Sequence, residues 1–553
     1  MSSPNATELN LFQRLPLGII WKSSVAIAGL VFFYAFLFSH NLDNQSSDSF
    51  VTLQLKRPAS SPNVTIHSPT NISHIGFIVI SSLNSWKNRN PYILSWWRPN
   101  VTRGCIFLDK EPTQEYLPWP STSPPYRVNE DVTKLSVYPK LVSPDQVRMF
   151  RSILDMYRVG DNKDLRWFMM CDDDTILLVD NLVEVLQKYD HTNYFYIGDN
   201  SECVKSNADF SFDMGFGGAG YALSYPLVEA LSTKLDACIE RYPQLYVSDH
   251  MAQSCLADIG VALTIEKGIH QIDLHDDISG LLSAHPQSPL LSLHHFDFIN
   301  PIFPSMDRYQ ATNHLMTAAK YDQSRFLQQT ICYHRERNWS FSVSWGYSTH
   351  IYEKTIPRSI LRKPLETFKP WRWNGSPPLY MFNTRWVNND PCDAPHVFFF
   401  QSIEYNASGN QLLTTYIRAS PRNLPPCSVD GNHSADSISE ILVLSPATTR
   451  KTAGVIECCD VEYKAEMNIT EIKISEPPPP VMPTSTAQLR RPSRRPPAVA
   501  KTIGSGNKGR RGRGRERKKK KWVPNFECSH PTIPMSDWSD SNGYGLLRES
   551  SFR

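Results

Sequence analysis

Three consecutive carboxylates, Asp172, Asp173 and Asp174, follow an apolar run at 167–171 and precede another at 176–179. Five apolar residues in a row suit a strand covered on both faces, which puts the triplet at a strand's carboxyl end. In open α/β sheets ligands bind outside that edge. Clustered carboxylates repel unless a hard cation neutralises them, and Mn²⁺ or Mg²⁺ bridging a diphosphate is the natural occupant. A bare Asp triplet also suits a solvated turn that caps the next helix, so neighbouring motifs decide. Gly217, Gly218 and Gly220 would let the backbone pass close to a sugar or phosphate, although a tight turn after Phe216 needs the same residues. Trp86, Lys87 and Arg89 follow the first expected strand and either hold a nucleotide or open an exposed helix.

The elements that must position these residues alternate short apolar runs with longer amphipathic segments, which is βαβ syntax. A strand is expected at 75–80, a helix opened by Asn90 and Pro91 that ends before Pro99, and a second strand at 105–108. Ser143 and Gln146 make an S-x-x-Q capping box with Pro144 at the first helical position, and Val147, Phe150, Leu154 and Tyr157 continue at helical spacing. Asp180 is expected to cap a helix carrying Leu182, Val185, Leu186 and Tyr189, and 194–197 to form a further strand. The pattern predicts an α/β fold with an open, mostly parallel sheet and helices on both faces. From about residue 331 the period changes to two, with Trp339, Phe341, Val343 and Trp345 alternating with serines, so 331–476 reads as a smaller β-rich region.

A chain of 553 residues with 41% hydrophobic and 20% charged residues can bury a large core, which excludes global disorder. The net charge of +3 conceals an uneven distribution. Residues 477–553 hold 17 Lys/Arg against 5 Asp/Glu, leaving 40 against 49 upstream. The body is mildly acidic and has no electrostatic reason to seek nucleic acid. The tail, with its run of four prolines and GRRGRGRERKKKK, cannot bury a core and reads as disordered. No nucleic-acid partner is expected despite that basic run.

Residues 23–39 carry no charge, near the lower limit for spanning a bilayer. Arg14 and Lys22 precede the stretch while Asp43 and Asp48 follow it, which places a short N-terminus, 1–22, in the cytosol and the remainder in a lumen. An uncleaved anchor is favoured over a signal peptide because no small-residue cleavage site follows Phe36, Leu37 and Phe38. Residues 40–73 form a flexible stem rich in Ser, Asn, Pro and Thr. Nine sequons lie beyond the span, at Asn44, Asn63, Asn71, Asn100, Asn338, Asn374, Asn406, Asn432 and Asn468. Eleven cysteines without paired CxxC units fit an oxidising lumen better than a zinc module, and their pairing is not readable.

Taken together, WFMMCDDDT, GFGGAGYALS at 215–224 and SLHHFD at 292–297 resemble the fringe-type β1,3-glycosyltransferases of glycosyltransferase family 31. WKNRNPYILSWWRPN, HQIDLHDDISGLLSAHPQSPLLSLHHFDFINPIFP and ICYHRERNWSFSVSWGY are similar to the plant fringe-related branch of that superfamily. The resemblance implies a GT-A-like (Rossmann-like) domain over 74–330 and a Golgi type II membrane protein. It also implies Mn²⁺, a UDP-sugar donor, a glycan or glycoprotein acceptor and inversion at the anomeric carbon. By likeness Asp174 would ligate the metal, Asp172 would face the metal or ribose, and Asp173 would lie between them. His295 would complete the metal and diphosphate site, with His294 leaving the register open by one residue. Asp249, in YVSDHMAQSC, falls where such enzymes keep the general base, although Ser248 stands where a second carboxylate is usual. Its alternative is a helix N-cap, and Asp276 and Asp277 are the next candidates for the base.

Overall fold

The computed structural model describes residues 68–160, 162–373, 375–428, 434–450 and 457–476. The expected N-terminus, span, most of the stem and the basic tail lie outside those residues. Among the described residues no helix is long and apolar enough to cross a membrane.

The architecture is the α/β, Rossmann-like one expected, with a β-rich C-terminal region. Its main sheet has seven strands: β1 (Ile75–Ile80), β2 (Arg103–Leu108), β3 (Tyr126–Val128), β4 (Trp167–Asp172), β6 (Tyr196–Gly198), β7 (Tyr221–Ser224) and β8 (Leu263–Ile265), in the order β3-β2-β1-β4-β7-β6-β8. All pairings are parallel except those of β7 with β4 and β6. Every residue of β1 is buried, because helices cover both faces. Side-chain alternation then sorts the core: Ile75, Phe77, Val79, Trp167 and Met169 pack with the helix α1 (Leu83–Leu94), while Ile78, Ile80, Phe168 and Met170 pack with α2 (Pro144–Arg158). Since β2 and β3 continue to one side of β1 and β4 lies on the other, the chain reverses its winding between β1 and β4. That reversal opens a crevice at their carboxyl ends.

Three details differ from expectation. Asp180 lies inside the first turn of the helix Val179–Leu186, whose cap position is Leu178, and so does not cap it. The helix expected to open at Asn90 starts at Leu83, since Ser82 and Ser85 form the capping box, and Pro91 lies inside it. The S-x-x-Q box does not close either: Ser143 makes no side-chain cap, and Gln146 Oε1 accepts from Ser248 N–H across the fold at 2.9 Å.

A second, three-stranded sheet lies at the mouth of the crevice. In it β11 (Ser292–Leu293) pairs antiparallel with β5 (Ile176–Leu177) and parallel with β9 (Ile269–His270). Beyond β10 (Leu274–Asp276), which pairs antiparallel with β15 (Phe368–Pro370), the β-rich region forms eight strands. These are β12 (Gln329–His334), β13 (Trp339–Ser344), β14 (Ser348–Tyr352), β16 (His396–Asn406), β17 (Gln411–Arg418), β18 (Glu440–Pro446), β19 (Cys458–Lys464) and β20 (Ile469–Ser475), in the order β12-β13-β14-β16-β17-β18-β20-β19. The edge strands β12 and β19 are joined by the Cys332–Cys459 disulfide, so the sheet curls back on itself. The serines of β13 are buried along with its aromatics, because Ser344 Oγ donates to Leu282 O at 2.8 Å. One hydrophobic cluster runs from Ile75 through Leu315 to Ile474 and unites this sheet with the α/β part.

Candidate active site

The Asp triplet ends β4, the strand beside β1 at the winding reversal. Thr175 fixes the turn: its hydroxyl accepts from Asp172 N–H at 3.0 Å and donates to Gly218 O at 2.6 Å. The triplet and the glycine loop are thereby tied together. Register does the rest, because Leu293 pairs with Ile176, which sets His294 opposite Thr175.

The histidine beside the carboxylates is therefore His294, and not the expected His295. His294 Nε2 lies 3.0 Å from Asp174 Oδ1 and 3.8 Å from Asp172 Oδ2, and one ligand atom from each of the three lies within 4.8 Å of the others. Adjacent residues cannot share an orientation here, because His295 has φ 60° and turns its ring away. His295 Nδ1 meets Asp273 Oδ1 at 3.1 Å, and its ring stacks on Trp371 with centroids 4.6 Å apart.

Each carboxylate of the triplet has its own environment. Asp173 is buried and accepts from Ser81 and Ser85 hydroxyls at 2.6 Å each and from Arg89 Nη1 at 3.1 Å. Its lone pairs are spoken for, so it anchors the turn to α1 and not to a ligand. Asp172 is the most exposed, at 27% of its side chain. Burial and then the charges of Asp174, Asp249 and Asp173 push its carboxyl well above the usual range. Asp174 is almost wholly buried, and burial alone would raise it, yet His294 and Arg89 outweigh burial and hold it well below the usual carboxylate range. Neither Asp174 oxygen receives an aligned hydrogen bond, and His294 Nδ1 is likewise buried without a partner. Buried polar atoms are normally satisfied. Two carboxylates and an imidazole with free lone pairs are a donor set that fits Mn²⁺ or Mg²⁺.

Arg89 reaches the cluster as a counterion. Its Nε donates to Asp297 Oδ2 at 2.6 Å and its Nη2 lies 3.4 Å from Asp174 Oδ2, while Tyr92 Oη holds Asp297 from the other side at 2.8 Å. Lys87 and Trp86, expected beside a nucleotide, go elsewhere: α1 leaves Lys87 exposed and buries Trp86, which stacks on Trp119.

The glycines serve close approach, but to protein side chains. A Cβ on Gly217 would sit 2.2 Å from Asp249 Oδ1, and one on Gly218 would sit 2.1 Å from the His294 ring. Gly220 has φ +96° and closes the turn. Asp249 stands in the first turn of helix α3 (Ser248–Ile259), 9% exposed, and accepts from Gly217 N–H and from Ser248 Oγ, the latter at 3.2 Å. Burial raises its carboxyl to about 6 against those hydrogen bonds. The alternative candidates for a base are occupied elsewhere. Asp276 pairs with Lys369 at 2.9 Å, and Asp277 caps the turn at Ser279.

Sequence reasoning missed four groups that hold the site: Thr175, Asp297, Asp273 and the Ser81/Ser85 pair. Only Asp297 carried a signal, as the acid at the end of HHFD.

Comparison with known proteins gives the following. A family described as "Protein of unknown function, DUF604" matches residues 206–459, a segment that contains the glycine loop, Asp249, His294 and most of the eight-stranded sheet. No curated protein matches the sequence. Among solved structures, the chain is similar to core-mannan synthase A (CmsA/Ktr4) from Aspergillus fumigatus in its Mn/GDP form. That likeness has 10% identity, covers 35% of this chain and 73% of that one, and has a TM-score of 0.23. It is also similar to a glycosyltransferase involved in glycosylation of the major capsid of PBCV-1, with 9% identity, 44% and 98% coverage and a TM-score of 0.25.

Proposed function

We propose that this protein is a fringe-like, inverting glycosyltransferase. It would move a hexose or N-acetylhexosamine from a UDP-sugar to a hydroxyl of a glycan or glycoprotein, in β1,3 linkage, as a type II membrane protein of the Golgi. One observation carries the reading: Asp172, Asp174 and His294 meet Asp249 across the Gly217–Gly218 backbone, at the crevice where the sheet reverses its winding.

A divalent cation held by Asp172, Asp174 and His294 would supply charge neutralisation for the departing diphosphate. Asp249 takes the proton of the acceptor hydroxyl as its oxygen bonds to the anomeric carbon and the bond from that carbon to the diphosphate oxygen breaks. A carboxyl raised to about 6 is largely ionised at neutral pH yet basic enough to accept a proton in the transition state. One base and no nucleophile gives a single displacement and hence inversion. Arg89, Asp173 and Asp297 act through position, since they set the charge and orientation of Asp174.

Lumenal residence has two supports. The sequon asparagines among the described residues, Asn71, Asn100, Asn338, Asn406 and Asn468, are all exposed. Disulfides Cys238–Cys255, Cys332–Cys459 and Cys392–Cys427 suit an oxidising compartment. The test is a screen of UDP-sugars for Mn²⁺-dependent donor hydrolysis and transfer by the purified chain. Turnover of one donor, lost on chelation, is expected. No hydrolysis of any donor, with UDP bound unchanged by Asp174→Asn, would overturn it.

A further inference from the structure

A second group of ligand-type side chains lies outside the site just described. Glu202, His270 and His285 each place a ligand atom within 4.8 Å of the other two. They come from distant parts of the chain: Glu202 follows β6, His270 ends β9 and His285 follows the short helix Ser279–Ala284. All three line a cavity of about 400 Å³ that Lys267, Gln287 and Phe382 also border.

The local geometry sets a carboxylate oxygen against an imidazole nitrogen beside that cavity. Glu202 is 5% exposed and is held at both oxygens, with Oε2 accepting from Ile272 N–H at 2.7 Å and Oε1 2.9 Å from His270 Nδ1. A contact of 2.9 Å between a carboxylate oxygen and an imidazole nitrogen is close to the separation of two neighbouring donors on one ion, so Glu202 Oε1 and His270 Nδ1 are the ligand atoms these residues offer, while the backbone N–H of Ile272 anchors Oε2. The far ring nitrogen, His270 Nε2, is buried without a hydrogen-bond partner. Ile272 adopts φ 51°, a conformation seldom taken by a β-branched residue, and its bond to Glu202 holds the turn that aims His270. The His285 ring packs on Phe382 at 4.0 Å and lies 5.4 Å from that of His270.

We propose that Glu202, His270 and His285 form a second metal centre, for a Zn²⁺-class transition-metal ion with an open coordination position toward the cavity. The donor chemistry separates it from the first set. Two imidazoles and one carboxylate suit Zn²⁺, Co²⁺ or Ni²⁺, whereas the carboxylate-rich Asp172, Asp174 and His294 suit Mn²⁺ or Mg²⁺. Three protein ligands with one position free is the pattern of sites that bind or activate a further ligand. The site does not depend on the proposed transfer reaction. It does touch that machinery, because Ser201 beside Glu202 donates to Asp273 Oδ2 at 2.7 Å and Asp273 in turn holds His295.

The test uses the purified full-length chain stripped with a chelator and titrated with Co²⁺. Visible absorption by Co²⁺ is strong in four- or five-coordinate nitrogen and oxygen sites and weak in six-coordinate oxygen sites. A strong band at stoichiometric Co²⁺, displaced by Zn²⁺ and retained in Asp174→Asn, is expected. His270→Ala and His285→Ala should each weaken Co²⁺ binding at least ~10-fold. His270→Ala also strips Glu202 of a partner, so if that variant fails to fold, His285→Ala decides. Absence of a strong band in the wild type overturns the proposal, and so does a band that survives His285→Ala.

Discussion

Glu353, at the end of β14, and Asp174, at the end of the β4 turn, are both carboxylates with almost no exposed side chain. Glu353 is saturated: Oε1 accepts from Ala435 N–H at 2.9 Å and lies 2.8 Å from His396 Nε2, and Oε2 accepts from Cys427 N–H at 2.8 Å. Asp174 is charge-compensated by His294 and Arg89 but receives no aligned hydrogen bond. The difference separates a carboxylate that joins loops from one that keeps its lone pairs for a ligand. The largest expected effect breaks the first kind. Glu353→Ala leaves His396 Nε2 and the N–H groups of Ala435 and Cys427 without their partner, which costs about 3–5 kcal/mol, a large part of a usual stability margin. Denaturant titration measures it. Burial opposes ionisation of Glu353, but His396 and the two N–H groups hold its carboxyl at about 2, so its contribution is present above the unfolded value and lost as pH falls toward 2. A Glu353→Ala chain as stable as wild type would dissolve the distinction.

The next effect is catalytic. Asp249→Asn keeps the shape of the residue and should lower transfer by about 10² to 10⁴, with Mn²⁺ and UDP binding near wild type. Its folded carboxyl is raised, so the ionised form opposes folding above about pH 6, and the amide should melt no lower than wild type. The two carboxylates Glu353 and Asp249 thus give stability changes of opposite sign. A loss of transfer below about tenfold would take the base away from Asp249.

How much of this was readable follows from how local each feature is. The buried β4 run and the triplet after it are consecutive, so the local pattern placed the triplet at a strand's carboxyl end. The fold class followed from the alternation of short apolar runs with amphipathic segments, and the β-rich region from the change of period near 331. By contrast, choosing His294 over His295 needs the pairing of Leu293 with Ile176, more than a hundred positions away. Asp173, alike in type to its neighbours, is distinguished only by Ser81 and Ser85 on another element. Glu202, His270 and His285 share no spacing rule, and Glu353 finds His396 across two strands. Gln146 matched a local cap yet serves a remote one, because the Ser248 N–H at the start of α3 is the better-placed donor.

Asp174→Asn sharpens the comparison from the ligand side. Removing a direct metal ligand should weaken Mn²⁺-dependent UDP binding by at least ~10²-fold, beyond the 10- to 100-fold typical of supporting groups. The loss of stability should be smaller than for Glu353→Ala, since His294 and Arg89 lose a counter-charge but no aligned hydrogen bond is lost. Calorimetry with UDP and Mn²⁺ checks the first part, and a thermal melt the second. Unfolding of Asp174→Asn would place the residue with Glu353 as a structural carboxylate.

The smallest effect concerns Ser248, the residue before Asp249 at the start of α3. Its hydroxyl is 3.2 Å from Asp249 Oδ1 and, with Gly217 N–H, favours the ionised form that burial disfavours. Transfer should therefore rise with pH through about 6 and level off above it, because only ionised Asp249 can take the acceptor proton. A hydrogen bond of this kind contributes about 1 kcal/mol, and one pKa unit corresponds to about 1.4 kcal/mol. Ser248→Ala should accordingly move the acid limb of the transfer profile upward by less than about one unit, with the plateau rate nearly unchanged. A profile recorded from pH 5 to 8 on both proteins decides it. If the limb stays in place while the plateau falls, Ser248 touches the acceptor and does not tune Asp249.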